Sequence, residues 1–244
     1  MRGESAVRAA VAATACGALL VSLAACGGGG GGAHPDASGK NHSRTAARAP
    51  GRHGLPGVGT RLLGRLPADS RQVVAVYGDG NDSARSTVDF YTRRGSAWEK
   101  GGTWSAHNGK KGWTTDHHED DDRSPVGVFT LSDAGGVLPD PGARLPYTAS
   151  ASFQAPGYWG PAYRHDFDYV IAIDYNRVKG APPNDPRRPQ GESKGGSIWL
   201  HMDHGSGTSA CVSLPESGMK FLLRALDPKL HPVVVMGDRA DLRA

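Results

Sequence analysis

The stretch Gly196-Ser197-Ile198-Trp199-Leu200-His201-Met202-Asp203-His204-Gly205-Ser206-Gly207-Thr208-Ser209-Ala210-Cys211-Val212-Ser213-Leu214-Pro215-Glu216 governs how the rest of the chain is read. Ile198, Leu200 and Met202 alternate with Trp199 and His201, the period of a strand with one apolar face. The Gly-rich link Asp203 to Ser209 then brings the chain back to Cys211, which sets His201 beside Cys211 across a strand pair or a tight loop. Past Cys211 the period changes. Met219, Leu222, Leu223 and Leu226 fall at i, i+3, i+4 and i+7, one face of a helix. Ser213-Leu214-Pro215-Glu216 has capping-box spacing at its start, and Asp227-Pro228 closes it. On this reading Cys211 lies just ahead of a helix N-terminus.

Outward from this stretch the chain reads as strand. Gln72 to Tyr77, Ser86 to Arg93, Val126 to Leu131, Tyr169 to Tyr175, Ser197 to Met202 and Pro232 to Met236 are the candidates. Trp98 and Trp104 flank Gly101-Gly102 and predict a hairpin there, and Asn108-Gly109 predicts a turn. Gly180 to Gly195 carries four prolines and reads as a long surface loop. With 35 Gly and 17 Pro in 244 residues and no heptads, a helical bundle and a coiled coil are excluded. No fixed-period repeat is visible, which removes solenoids and propellers. The fold class expected is mainly β, with one or two short helices, over a domain spanning 61–244.

Residues 1–25 read as an export signal, with Arg2 and Arg8 ahead of an uncharged apolar run from Ala9 to Ala25. It ends in Leu23-Ala24-Ala25-Cys26-Gly27, which resembles a bacterial lipobox and makes Cys26 the expected lipid anchor. Residues 26–60, opening on the unbroken run Gly27 to Gly32, read as a flexible tether. Such a coil spans about 30 Å on average and about 110 Å at full stretch. The expected location is extracytoplasmic, anchored to the cell membrane and facing the cell wall.

Charge separates the tether from the domain. Six of the 28 Lys and Arg and two of the 24 Asp and Glu lie before residue 61, which leaves 22 of each sign in the domain. The basic pI belongs to the leader, so no nucleic-acid partner is expected. Cysteine arithmetic is equally direct. Cys16 falls in the signal and Cys26 takes the lipid, so Cys211 is the one thiol of the domain and has no internal disulfide partner.

A thiolate at Cys211 is a nucleophile, and His201 is the residue type that carries its proton to a leaving amine. Backbone N–H groups over Thr208, Ser209 and Ala210 are the candidate oxyanion support. The residues alone leave a second reading open, in which Cys211 is a small buried hydrophobe and His201 a satisfied core histidine.

The stretch resembles the catalytic motif of the YkuD-type L,D-transpeptidases: Gly196-Ser197, an apolar strand ending in His201, a Gly-rich link, then Thr208-Ser209-Ala210-Cys211-Val212-Ser213-Leu214-Pro215. Ser124-Pro125-Val126-Gly127-Val128-Phe129 resembles that family's Thr/Ser-Pro-x-Gly-x-Phe element, and Tyr169 to Asn176 its strand ending in Tyr-Asn. Matching pieces run from about Thr87 to Gly237. The resemblance implies a β-sandwich-like catalytic domain, with Cys211 as nucleophile and His201 as proton donor and acceptor. The implied substrates are peptidoglycan stem peptides, donor and acceptor. The thiolate attacks the carbonyl that joins an L-centre diamino acid to D-Ala, D-Ala leaves, and an amine of a second stem resolves the thioester into a 3→3 cross-link. Water as acceptor gives L,D-carboxypeptidase action, and a degenerate member would be a non-catalytic wall-binding lipoprotein. No metal or organic cofactor is implied.

Ala210 departs from the Gly usual before the nucleophile, which would strain the backbone if that position needs a positive φ. The third group orienting His201 is open between Asp203 and a backbone carbonyl. Asp116-His117-His118-Glu119-Asp120-Asp121-Asp122 has metal-ligand residue types but no ligand spacing, and reads as a solvated loop. His201, His204 and Cys211 as a zinc set is a weaker alternative. Tyr158, Trp159 and Tyr163 read as core packing rather than a substrate groove.

Overall fold

The computed structural model describes residues 54–244. The export signal, the Cys26 anchor and most of the tether reading therefore lie outside the described residues. Packing begins ahead of residue 61: Leu55 and Val58 are buried, and α1 (Thr60–Leu63) buries Leu62. The Gly-, His- and Arg-rich composition around them hid two apolar residues that anchor this segment.

The domain is mainly β. In chain order follow β1 (Gln72–Gly78), β2 (Arg85–Arg94), β3 (Ala97–His107), the short pair β4 (Trp113–Thr114) and β5 (Ser124–Pro125), then β6 (Gly127–Gly136), β7 (Tyr147–Ala149), β8 (Val170–Ile173), β9 (Trp199–Met202) and β10 (Val212–Leu214). The chain ends with α2 (Glu216–Ala225), β11 (Val233–Asp238) and α3 (Arg239–Arg243). Nine strands form one sheet in the order β11-β1-β2-β3-β10-β9-β8-β6-β7, and β11 also pairs with β6. That extra pairing closes eight strands into a barrel-like ring and leaves β7 as an added edge strand on β6.

Closure explains the burial pattern of the hydrophobic strands. β1 and β11 are buried at every position. Val74, Val76, Val234 and Met236 face the main core with Leu200, Leu214 and the α2 residues Met219, Leu222 and Leu223. Val73, Ala75, Val233 and Val235 face outward and are covered by Leu55, Val58, Leu62 and Leu242. An outer layer from both ends of the domain thus turns an alternating strand into one buried on both faces.

Two local expectations fail. Trp98 and Trp104 do not flank a hairpin turn; both lie on β3, and the turn is at Gly95, where φ is 59°. Gly101 and Gly102 sit opposite a register shift between Phe90 and Tyr91. A Cβ on Gly102 would come within 2.3 Å of the Trp104 ring, so the residue is small to admit an aromatic, not to reverse the chain. The capping box is also absent. Pro215 is the N-cap of α2 without a side-chain cap, and Ser213 belongs to β10, where its hydroxyl donates to Asp203.

Candidate active site

β9 and β10 run parallel, with Leu200 opposite Val212 and His201 opposite Ser213. Extending this register by one step puts Trp199 beside Cys211. Strand alternation then sends Leu200, Val212 and Leu214 into the core and turns Trp199, His201, Cys211 and Ser213 to the other face. Cys211 and His201 are diagonal neighbours on that face, roughly 8 Å apart at Cα by ordinary strand spacings, within reach of an imidazole. Both line one cavity of about 750 Å³, as do Thr208, Ser209 and Ala210.

His201 is buried, and Nδ1 lies 2.8 Å from the Met202 carbonyl. That bond fixes the proton on Nδ1 and leaves Nε2 as the basic nitrogen. A backbone carbonyl is therefore the orienting group. Asp203 is engaged elsewhere: His107 Nδ1 lies 2.8 Å and the Ser213 hydroxyl 2.6 Å from its Oδ1. Burial opposes its charge, yet the bonds from Ser213 and His107 hold the Asp203 carboxyl below its usual value.

Cys211 keeps part of its surface open, and its sulfur bonds at rest to backbone. The Trp199 N–H donates to Sγ at 3.4 Å, and S–H points to the Ser197 carbonyl at 3.7 Å. Ser197 itself holds a φ of 53°, a strained conformation for a residue with a side chain. Packing around the sulfur pushes the thiol up to about 11, with the Trp199 N–H opposing. Burial likewise pushes His201 down to about 4. Both shifts favour the neutral forms, thiol and imidazole, over an ion pair at rest. The α2 N-terminus gives the sulfur no assistance, because β10 separates Cys211 from Glu216.

The backbone around the nucleophile is clamped from the side. Thr208 Oγ1 donates to the Cys211 carbonyl at 2.6 Å. The Ser124 hydroxyl donates to the Ala210 carbonyl at 2.7 Å and accepts from the Gly109 N–H at 2.9 Å. Thr208 also bonds through its backbone to Asn108 and Lys110. Ala210 is not among the described non-glycine residues with positive φ, so its Cβ imposes no left-handed strain. Among the described residues, the N–H groups of Ser209 and Ala210 donate to no protein acceptor, which leaves donors free beside the sulfur.

No protein-family model matches the chain, and neither does any curated protein. Solved structures that resemble it include the following two. Bd1075 of Bdellovibrio bacteriovorus matches over 69% of this chain and 48% of its own, at 16% identity and a TM-score of 0.39. The helical cell shape determining protein Pgp2 of Campylobacter jejuni matches over 72% and 51%, at 17% identity and a TM-score of 0.42. The chain spans about half the length of these structures.

The opposite cavity wall is aromatic, and here the core-packing expectation is corrected. Trp159, which lines the cavity, is 43% exposed, and its neighbour Tyr158 is 88% exposed. Gly and Pro on both sides set this segment in short 3₁₀ turns on the surface, and edge-to-face contacts run inward from Trp159 to Phe167 and from Phe167 to His201. The 116–122 stretch is solvated only in part. His117 is buried against Tyr175, and burial pushes its imidazole down. Among the described residues no group of three or more His, Cys, Asp and Glu is placed to hold a metal ion.

Sequence reasoning missed Ser124 and Asn176 as site-builders. Asn176, with φ of 41°, donates to the Gly191 and Gly195 carbonyls and accepts from the Gln190 N–H, which ties the loop ahead of β9. Both residues lie in pieces whose resemblance was visible, but their hydrogen-bond partners are distant in sequence.

Proposed function

We propose that the protein is a cysteine acyltransferase of the L,D-transpeptidase type acting on peptidoglycan stem peptides, exported and held to the membrane through Cys26. The observation that carries this reading is the placement of the Cys211 sulfur and the His201 ring on one face of the β9–β10 pair, at a shared open cavity. His201 Nε2 takes the Sγ proton as sulfur attacks the carbonyl between the diamino acid and D-Ala. Free N–H groups of the nucleophile loop meet the oxygen as it becomes anionic. The imidazolium returns its proton to the departing D-Ala nitrogen, leaving a thioester. An amine of a second stem then attacks the thioester while His201 accepts its proton; the carbon–sulfur bond breaks as the new amide forms, and the imidazolium returns the proton to the departing sulfur. Water in place of that amine makes the same site a carboxypeptidase.

The soluble domain incubated with tetrapeptide muropeptides is expected to release D-Ala and give 3→3 dimers by mass spectrometry. Tripeptides without dimers assign the hydrolytic branch. A carbapenem is expected to add one acyl mass to the wild type and none to Cys211→Ser. Absence of any adduct and of D-Ala release overturns the catalytic reading and leaves a wall-binding lipoprotein.

A further inference from the structure

The charges of the domain cancel in number but not in place. Of its fifteen described arginines, seven are in ion pairs. On the loop that runs up to β9 and the cavity, Arg177, Arg187 and Arg188 are all paired. Eight arginines have no carboxylate partner among the described residues. Six of these belong to the layer outside β1 and β11: Arg61, Arg65, Arg71, Arg93, Arg239 and Arg243, all exposed.

Their contacts tie them to that layer. Arg239 lies over the Tyr77 ring at 5.6 Å and Arg93 over the Trp98 ring at 5.9 Å, and both rings belong to the cluster that covers the outer face of β1 and β11. Arg61 donates to the Asp241 carbonyl at 2.9 Å, and the Gly59 N–H to the Leu242 carbonyl at 2.6 Å, which brings α1 against α3 and Arg243. Arg65 stands between Leu63 and Leu66, which pack on the same cluster. The Arg71 N–H donates to the Leu230 carbonyl, and its own carbonyl accepts from the Arg93 N–H, both at 2.8 Å. The arginines are therefore strung along the length of β1, about 20 Å. Over 54–71 and 239–244 the acidic residues are Asp69 and Asp241 alone, so the strip is net positive.

The strip also has a fixed place relative to the cavity. In the closed ring of eight strands, β1 is diametrically opposite β9, and β11 opposite β10. The arginines lie outside the first pair and the Cys211 cavity outside the second, on opposite sides of the barrel. An exposed, unpaired guanidinium keeps its charge and forks onto phosphate oxygens. Six of them along about 20 Å suit an extended anionic surface better than a single small ligand. Residues 26–60 lead from Cys26 into this same layer, where Leu55 and Val58 are buried. We propose that the strip docks the domain on an anionic lipid surface through its phosphodiester headgroups and turns the cavity away from the membrane. This rests on the export and anchoring reading above and adds which face of the domain meets the membrane.

Both packed clusters are complete within residues 54–244, so this domain, free of the lipid and of the tether's own charges, is the protein to test. Co-sedimentation compares vesicles of phosphatidylglycerol and phosphatidylcholine with vesicles of phosphatidylcholine alone. Binding is expected to the anionic vesicles only and should weaken as salt rises. The combined Arg65→Gln, Arg71→Gln and Arg243→Gln variant should bind about 100-fold more weakly, about five-fold for each charge removed. Orientation is read in the Cys211→Ala background with one fluorophore at a time and a quencher carried in the bilayer. A label on Ala240→Cys, beside Arg239, should be quenched, and one on Ala162→Cys, next to the cavity-lining Tyr163, should not. No binding to anionic vesicles, binding that survives the triple substitution, binding to soluble polyphosphate but not to vesicles, or equal quenching of the two labels overturns the proposal. If the triple variant does not fold by circular dichroism, the two labels decide. Acylation of Cys211 by a carbapenem is scored separately, so loss of the acyl-transfer reading and loss of the docking face are told apart.

Discussion

Ser124→Ala removes one fully buried hydroxyl and with it the link between three segments. The oxygen now accepts from the Gly109 N–H at 2.9 Å and donates to the Ala210 carbonyl at 2.7 Å. Alanine fills nearly the same space, so no cavity of consequence opens and the cost is electrostatic. The buried Gly109 N–H loses its partner at about 1–3 kcal/mol, and the Ala210 carbonyl, part-buried, loses about 1 more. The total is about 2–4 kcal/mol. For a domain of this size that lowers the melting temperature by roughly 5–15 °C. The effect on chemistry is separable. Thr208 Oγ1 still holds the Cys211 carbonyl, so the loop stays in place but loses its lateral stop on the residue before the sulfur. A displacement near 1 Å costs up to about 100-fold in a positioned reaction. The assay is the rate of Cys211 acylation by a carbapenem, followed by intact mass at a temperature where both proteins are fully folded by circular dichroism. Ser124→Ala is expected to acylate about 10- to 100-fold more slowly than wild type. A normal acylation rate together with a normal melting temperature would refute the view that Ser124 sets the nucleophile loop.

Three further outcomes follow from the resting charges and the backbone. Alkylation of Cys211 by iodoacetamide should climb with pH toward about 11 and show no plateau near 7, because the packed sulfur stays a thiol at neutrality; an inflection below pH 8 would show a resting thiolate–imidazolium pair. Native His201 takes a proton only near pH 4, while the unfolded chain takes it near 6.5, so the unfolded state binds more protons between these values and stability must fall as pH drops through that window. Urea melts should show a loss of up to about 3 kcal/mol from this one group between pH 6.5 and 4, and His201→Gln should flatten that part of the curve. Ala210→Gly should neither speed acylation nor stabilise the fold, since Ala210 holds no positive φ; a gain of activity would mean that the Cβ obstructs the oxyanion donors.

What was legible in the sequence is what depends on near neighbours. Alternation from Ile198 to Met202 placed His201 on the face away from the core, and the i, i+3, i+4, i+7 set of α2 is the set that packs inward. Barrel closure was not legible, because the β11–β6 pairing joins Val233 to Thr130, a contact no local period encodes. Ser213 shows how a short motif misleads. Its spacing to Glu216 suits a cap, but β10 pairs with β9 through Ser213 and His201, and the hydroxyl is taken by Asp203. Asp203 was likewise a reasonable partner for His201 by proximity in sequence. A second histidine on β3, His107, claims it first. At both sites a long-range strand pairing outranks a local hydrogen-bonding option.

The neutral resting pair constrains how the proposed acyl transfer runs. Burial disfavours both charged forms, pushing the thiol up to about 11 and the imidazole down to about 4, so a thiolate–imidazolium pair formed in advance is disfavoured at rest. In the proposed acyl transfer, proton transfer then accompanies carbon–sulfur bond formation, when charge leaves the sulfur for the carbonyl oxygen. The oxyanion donors then do more than stabilise an intermediate. They also supply the driving force that lets Nε2 take the proton. The desolvation that disfavours the ion pair at rest strengthens those same donors once the substrate excludes water. A pair left neutral also protects Cys211, the one free thiol among the described residues, since oxidants attack thiolates.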